Sequence, residues 1–392
     1  MPIGVLVGDV EGRGVAPAAD WARWERQGRV PPSGRGFGLA EAPGEWFAAF
    51  AAELGATEVV LTLEWARLQP TPGRYDPEAV EELAAWLALA RDRGLSPWGC
   101  LVDQTLPGWF ADDLGGFLDD ANRRLRWPRH VDWLGETFGD LVDGWVTQRE
   151  PVRRALRGWE WGTAPPGKRD PRRAAEAVQA AVLADGEAWR LLGGGGRPVA
   201  CLHTTRRVVA ADGTGEAQAA ARRLDELWWR SWTSALVDGD VAVPGLAPVA
   251  ADHLRGAFDL VAVALRAPIA VDATGTPRPR PPGLHRGPGG GVAGPEDLAL
   301  ALRRAGEESA PPAWAVAVSA GAAPAEGRHQ ADHLAAVADE VLAARSDGMA
   351  ITRWWQAEPV DGYGWERGSV AAGVLDAEGR PKPAAEGLAR LR

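Results

Sequence analysis

Eight short apolar runs, each followed by a longer stretch with helical spacing, constrain this chain more than any other feature of its sequence. The runs cover 3–8, 58–63, 98–102, 144–147, 199–202, 260–265, 315–318 and 349–352. Most are apolar throughout, the pattern of parallel strands covered on both faces. In 77–93, Val80, Leu83, Trp86, Leu87 and Ala90 recur at spacings of three and four behind Pro77, a helix with one buried face. Stretches 171–192, 215–236, 295–306 and 329–345 read the same way. Eight strand-then-helix units without a long polar linker predict an α/β chain that forms a single (β/α)8 TIM barrel domain over 1–392. An open doubly wound sheet is the competing architecture, but no Gly-x-Gly-x-x-Gly turn follows the first strand.

Composition narrows the function. Lys and Arg total 43 against 53 for Asp and Glu, a formal net charge of −10. No basic stripe offsets it, so no nucleic acid partner is expected. No apolar stretch reaches the ~18 residues of a membrane span, so no membrane association is expected either. The opening residues lack a basic segment and reach Asp9 too early for a signal peptide, which predicts a cytoplasmic setting. Cys100 and Cys201 lie far apart and read as small apolar strand residues. No metal or organic cofactor is implied. The 20 Trp stand against 2 Tyr and 7 Phe. Indole faces suit either a sugar-stacking cleft or a large core, and the core suits most of them.

Barrel enzymes hold their sites where strands end. Those ends carry Asp9 and Glu11, Glu64 and Arg67, Asp103, Arg149 and Glu150, His203, Ser319 and Glu358. Charged groups there are costly unless solvated or paired, so their convergence predicts a polar pocket at the mouth. Long segments at 11–43, 158–170 and 266–294 follow strands one, four and six. The last is rich in Pro and Gly and long for a structureless connection, so it reads as either a lid or a poorly ordered loop. His329-x-x-x-His333 lacks the glutamate of a zinc motif and reads as an exposed helix start. The pair Trp354-Trp355 fits either the pocket floor or the packing outside the barrel.

In order along the chain, several short motifs resemble glycoside hydrolase family 1, the β-glucosidase-like retaining enzymes. Asp9-Val10-Glu11-Gly12 is similar to the family's Gln-Ile-Glu-Gly, and Thr62-Leu63-Glu64-Trp65-Ala66-Arg67-Leu68-Gln69-Pro70 to its Ser-Ile-Ser-Trp-Ser-Arg-Ile-x-Pro. Leu106-Pro107 and Gly115-Gly116-Phe117 resemble His-Trp-Asp-Leu-Pro and Gly-Gly-Trp. Trp145-Val146-Thr147-Gln148-Arg149-Glu150-Pro151 resembles Trp-x-Thr-x-Asn-Glu-Pro, and Ala164-Pro165-Pro166-Gly167 a later Ala-Pro-Gly. Glu358, Gly362-Tyr363, Asp376 and Arg380-Pro381-Lys382 track the closing motif. The resemblance implies the barrel fold, β-glycoside hydrolysis and Glu150 as the acid/base.

The departures fall on the chemistry. Where the family has Thr-Glu-Asn-Gly with its nucleophile, this chain has Val318-Ser319-Ala320-Gly321. Arg149 replaces the Asn before the acid/base, Asp9 and Asp103 replace a sugar-binding Gln and His, and Val263-Ala264 replaces an Asn-Tyr pair. Retaining hydrolysis needs two carboxyl groups about 5–5.5 Å apart. A serine hydroxyl without an activating base is a poor substitute. Arg149 beside Glu150 favours its ionised form, against the needs of a general acid. It either clamps a ligand carboxylate or phosphate or neutralises Asp9, Asp103 and Glu150. The sequence therefore predicts a small-molecule partner, a glycoside or an anionic hydroxylated metabolite. Glu150 is the expected proton-transfer residue, and Asp9, Arg67, Asp103, Arg149, His203, Ser319 and Glu358 the expected pocket. Three functional readings remain: a non-hydrolytic lyase or isomerase, a glycosidase by an inverting route using Asp103 or Glu358 as base, and a non-catalytic binding protein.

Overall fold

The computed structural model describes residues 1–280, 287–288, 291–322, 327–364 and 368–392. Eight parallel strands close into a barrel in the order β1-β8-β7-β6-β5-β4-β3-β2. They are β1 (Ile3–Val7), β2 (Glu58–Thr62), β3 (Ser96–Cys100), β4 (Gly144–Arg149), β5 (Val199–Thr205), β6 (Leu260–Leu265), β7 (Trp314–Ser319) and β8 (Ile351–Ala357). The expected (β/α)8 barrel is therefore present. Sequential strands lie side by side, as short right-handed crossovers require.

The outer layer is formed by α1 (Pro43–Leu54), α2 (Pro77–Asp92), α3 (Trp127–Phe138), α4 (Pro171–Leu192), α5 (Gly215–Asp238), α6 (Pro295–Glu308) and α7 (Arg328–Ser346). A 3₁₀ segment, Pro383–Leu391, takes the eighth place against α7. Local chemistry sets the helix starts. Asp76 and Asp170 each accept two backbone N–H groups at the starts of α2 and α4, and Thr214 caps α5. Proline in the first turn of α1, α2, α4 and α6 supplies a preset φ where no intrahelical donor is needed.

Strand alternation sorts the side chains. Leu6, Val60, Cys100, Val146, Ala200, Ala262, Ala315 and Ala317 fill the barrel interior around Trp98 and Trp355. Their neighbours face the helices and join the larger outer core, Cys201 among them. The adjacent Trp354 and Trp355 thus split, one into the outer core and one into the interior, and neither floors the mouth. At the closed end Glu58 is buried and satisfied by Arg353 at 3.0 Å and by the Trp355 indole N–H at 3.2 Å.

The segment after β6 is not structureless where it is described. Ile269–Val271 pairs with Val208–Ala210 on one side and with Pro277–Arg278 on the other, in a three-stranded sheet at the mouth. Residues 281–286 and 289–290 of the expected lid lie outside the described residues. His333 is buried on α7, against the expected exposed helix start. No described helix is long and apolar enough to cross a membrane.

Candidate active site

The strand ends surround a cavity of about 390 Å³ at the C-terminal mouth. Asp9, Glu11, Ser319 and Glu358 line it, together with Arg153, Arg157, Arg206, Arg266, Arg278 and Arg280 and the aromatic rings of Phe37 and Tyr363. No Trp is among the described lining residues of this cavity, and most of the described indoles are buried in the core.

β4 delivers Arg149 and Glu150. Glu150 turns the chain at φ 53°, a left-handed conformation, immediately before Pro151 opens a short helix. Its carboxylate receives Arg266 Nε on Oε1 at 2.9 Å and Arg266 Nη2 on Oε2 at 3.0 Å, a two-pronged pair. Arg153, one helical turn on, adds Nη1 to Oε2 at 3.0 Å. Burial opposes ionisation, but Arg266 first and Arg153 next outweigh it, holding Glu150 well below the usual carboxylate range. A general acid must carry a proton near neutral pH. The proton-transfer role expected for Glu150 does not fit this arrangement, in which Arg266 covers it and it does not line the cavity.

Arg149 is buried beneath the mouth, with Nη1 3.2 Å from Asp103 Oδ2 and 3.6 Å from Glu11 Oε2. Of the three acids it was expected to neutralise it pairs, among the described residues, with Asp103 alone, Glu11 being the second partner, and it is not among those lining the cavity. Gly8 makes this packing possible: a Cβ there would lie 2.6 Å from Asp103 Oδ2 and 2.9 Å from Glu11 Oε2. Asp103 is committed to Arg149 and to the Gln104 side chain, and does not face the cavity as an inverting base would. Asp9 does line it, but its oxygens accept the backbone N–H groups of Val10, Gln104 and Thr105 and the Thr105 hydroxyl. Those bonds tie β1 to the segment after β3.

Two further expected pocket residues, like Arg149 and Asp103, are not among the described residues lining the cavity. Arg67 bonds Glu64 at 3.0 Å and the Gly14 carbonyl at 3.1 Å, bracing the segment after β1. The His203 ring stacks on Trp232 of α5, centroids 4.8 Å apart and planes 4° apart. Burial pushes its pKa down to about 3, so it is neutral. Its Nε2 lies 4.0 Å from Asp185, a buried carboxyl bonded by Thr147 and Gln148.

Ser319 lines the cavity, and its hydroxyl oxygen accepts the Gly321 N–H at 3.1 Å. The His333 ring bonds the Ser319 backbone. β7 and β8 pair Ser319 with Ala357, which sets Glu358 at the mouth in a left-handed turn at φ 49°. Arg266 Nη1 approaches Glu358 Oε1 at 3.5 Å. Arg266 and Arg153, which dominate this geometry, had no motif to reveal them. Their only signals are an arginine directly after strand six and one three residues beyond Glu150.

The sequence model of "Glycosyl hydrolase family 1" matches residues 48–242. A β-glycosidase from Pyrococcus horikoshii superposes with a TM-score of 0.84 at 19% identity, covering 99% of this chain and 93% of that one. A family 1 β-glucosidase from Thermotoga maritima in complex with isofagomine lactam gives 0.82 at 20% identity, covering 99% and 95%. Among curated relatives, "Beta-glucosidase 1B" of Phanerodontia chrysosporium is 26% identical over 123 residues, 31% of this chain and 23% of that protein. "Hydroxyisourate hydrolase" of Glycine max is 28% identical over 121 residues, 30% of this chain and 21% of that protein. These matches span less than a quarter of each curated relative's length. The fold is that of the family 1 β-glycosidases. In sequence the chain is similar to glycosyl hydrolase family 1 over residues 48–242, just under half of its length.

Proposed function

We propose that this protein takes an anionic, hydroxylated small molecule, such as a sugar acid or sugar phosphate, into the mouth cavity and acts on it without glycoside hydrolysis. The observation that carries this reading is the two-pronged Arg266–Glu150 pair opposite a serine at the nucleophile position. A carboxylate saturated by guanidinium groups gives no proton to a leaving group, and Ser319 offers no carboxylate to attack the sugar. Six arginines against three acids in the described lining favour a ligand that brings negative charge. The stretch shared with a protein named for hydroxyisourate hydrolysis supports a ligand that is not a simple glycoside. The cavity, at about 390 Å³, has room for a monosaccharide-sized ligand.

The test pairs two assays. A panel of nitrophenyl β-glycosides is expected to show no turnover. Calorimetric titration is expected to give binding of D-glucuronate or glucose 6-phosphate that glucose does not match and that weakens with salt. Turnover that disappears in Glu150→Gln would overturn the reading and restore a glycosidase. Equal binding of glucose and the two anions would remove the anionic ligand.

A further inference from the structure

We propose that the proton-exchanging pair of this cavity is Glu11 and Glu358, with Glu11 as donor and Glu358 as acceptor. The identity of the ligand rests on the reading above; the pair itself does not. Each of the two residues lines the cavity and keeps 23% of its side chain exposed. Each also holds one buried carboxylate oxygen, Oε2, without a hydrogen-bond partner among the described residues. Buried carboxylate oxygens are ordinarily satisfied, and unsatisfied ones concentrate where a ligand or a reaction completes them. The other lining acid, Asp9, has both oxygens occupied, and Glu150 is closed off by Arg266 and Arg153.

The surroundings of the two glutamates push them apart in character. Glu11 comes from the one-turn helix Asp9–Arg13 after β1. Facing it are Arg149 from β4, Asp103 after β3, Glu358 after β8 and Arg266 after β6. Burial leads, Asp103 and Glu358 add repulsion, and the two arginines only partly offset them, so the Glu11 carboxyl rises to about 7. Glu358 has the Arg266 guanidinium 3.5 Å from its Oε1. A carboxyl that is half protonated at neutral pH beside one paired with a cation is how one site holds an acid and a base together. In the exchange, the Glu11 O–H bond breaks and its proton bonds to a ligand oxygen, while a proton from a ligand hydroxyl passes to the Glu358 carboxylate. The ligand's proton count is unchanged, and no oxidant or reductant is involved.

The experiment is a pH titration of the ¹³C-carboxyl glutamate signals of the unliganded protein, in the wild type, Glu11→Gln and Glu358→Gln. The wild type is expected to show a glutamate that titrates near pH 7, absent from Glu11→Gln and moved to lower pH in Glu358→Gln. Should Glu11→Gln fail to fold, the downward move in Glu358→Gln carries the test alone. A near-neutral signal that persists in Glu11→Gln, or that ignores Glu358→Gln, would overturn the pair. The second arm is calorimetry of D-glucuronate binding in two buffers of different ionisation heat near pH 7. Proton exchange with solvent is expected on binding to the wild type and not to Glu11→Gln. Equal, nonzero exchange in both would also overturn it. Absence of any anion binding beside a normal titration would sink the ligand reading and leave the pair standing.

Discussion

Glu150 receives three charge-assisted hydrogen bonds in a nearly dry setting, and two of them come from one guanidinium. Removing that guanidinium leaves a buried carboxylate with Arg153 alone. Arg266→Ala is expected to cost about 3 kcal/mol in urea denaturation, the scale of a broken buried pair. Arg266→Lys restores one charge contact but not the fork, so it recovers only part of the loss. Asp185 tests burial in the other direction. Its folded value of about 7 lies above the ordinary 3.8, because burial outweighs the bonds from Thr147 and Gln148. Between those values the folded state holds a proton that the unfolded chain has released, so stability falls as pH rises from about 4 to 7 and then levels. Asp185→Asn is expected to flatten that slope, measured as the difference in unfolding free energy between pH 5 and pH 7.5.

At the scale of elements, the strands fit together through tryptophan set beside glycine. Register pairs Gly4 with Trp355, Trp98 with Gly144, and Gly99 with Trp145. A Cβ on Gly144 would come within 2.5 Å of the Trp98 ring. Gly144→Ala is therefore expected to destabilise by about 1–3 kcal/mol through overpacking. At Gly194, where a Cβ meets open space, the same change is expected to stay within about 0.5 kcal/mol on the same denaturation curves. The barrel was legible in the sequence because parallel strands buried on both faces leave continuous apolar runs, and α4 shows its boundaries by Asp170, Pro171 and its own periodicity. The strand ends were harder. β4 runs on to Arg149, β5 to Thr205 and β8 to Ala357, where polar residues take part in the ladder and apolarity no longer marks it. The helix α1 is apolar on most sides and shows no clean stripe, whereas α3 buries Trp127, His130, Val131, Leu134 and Phe138 at helical spacing, a stripe the sequence carried and the reading passed over. Residue type at the strand ends located the mouth. It did not show that Arg67 braces a loop and His203 stacks on Trp232, because pairing partners come from other strands.

Across the whole molecule, tryptophan is a core material. Eight of the large side chains that are almost wholly buried are indoles, spread from Trp21 through Trp228 to Trp355. Emission from the folded protein is thus expected to lie to the blue and to resist acrylamide, shifting red only on unfolding. Filling the mouth with D-glucuronate is expected to leave it nearly unchanged, whereas a tryptophan-lined sugar cleft would report binding directly. The same division runs through the charges. The closed end holds Glu58 with Arg353 and Trp355 as a rigid plug, while the open end concentrates arginines on a chain of net charge −10. Six arginines against three acids line the described mouth, so binding of the proposed anionic ligand is expected to weaken as ionic strength rises.

Glu358 holds its left-handed turn without being glycine, at a conformational cost of roughly 1 kcal/mol or more. Glycine would adopt that backbone freely, and undirected mutation at such a place drains toward the unstrained residue. A lineage with no work for this carboxylate has an easy exit in a single codon. A glutamate standing there, where the backbone would suit glycine better, keeps a carboxylate at the mouth of this barrel at the expense of local ease.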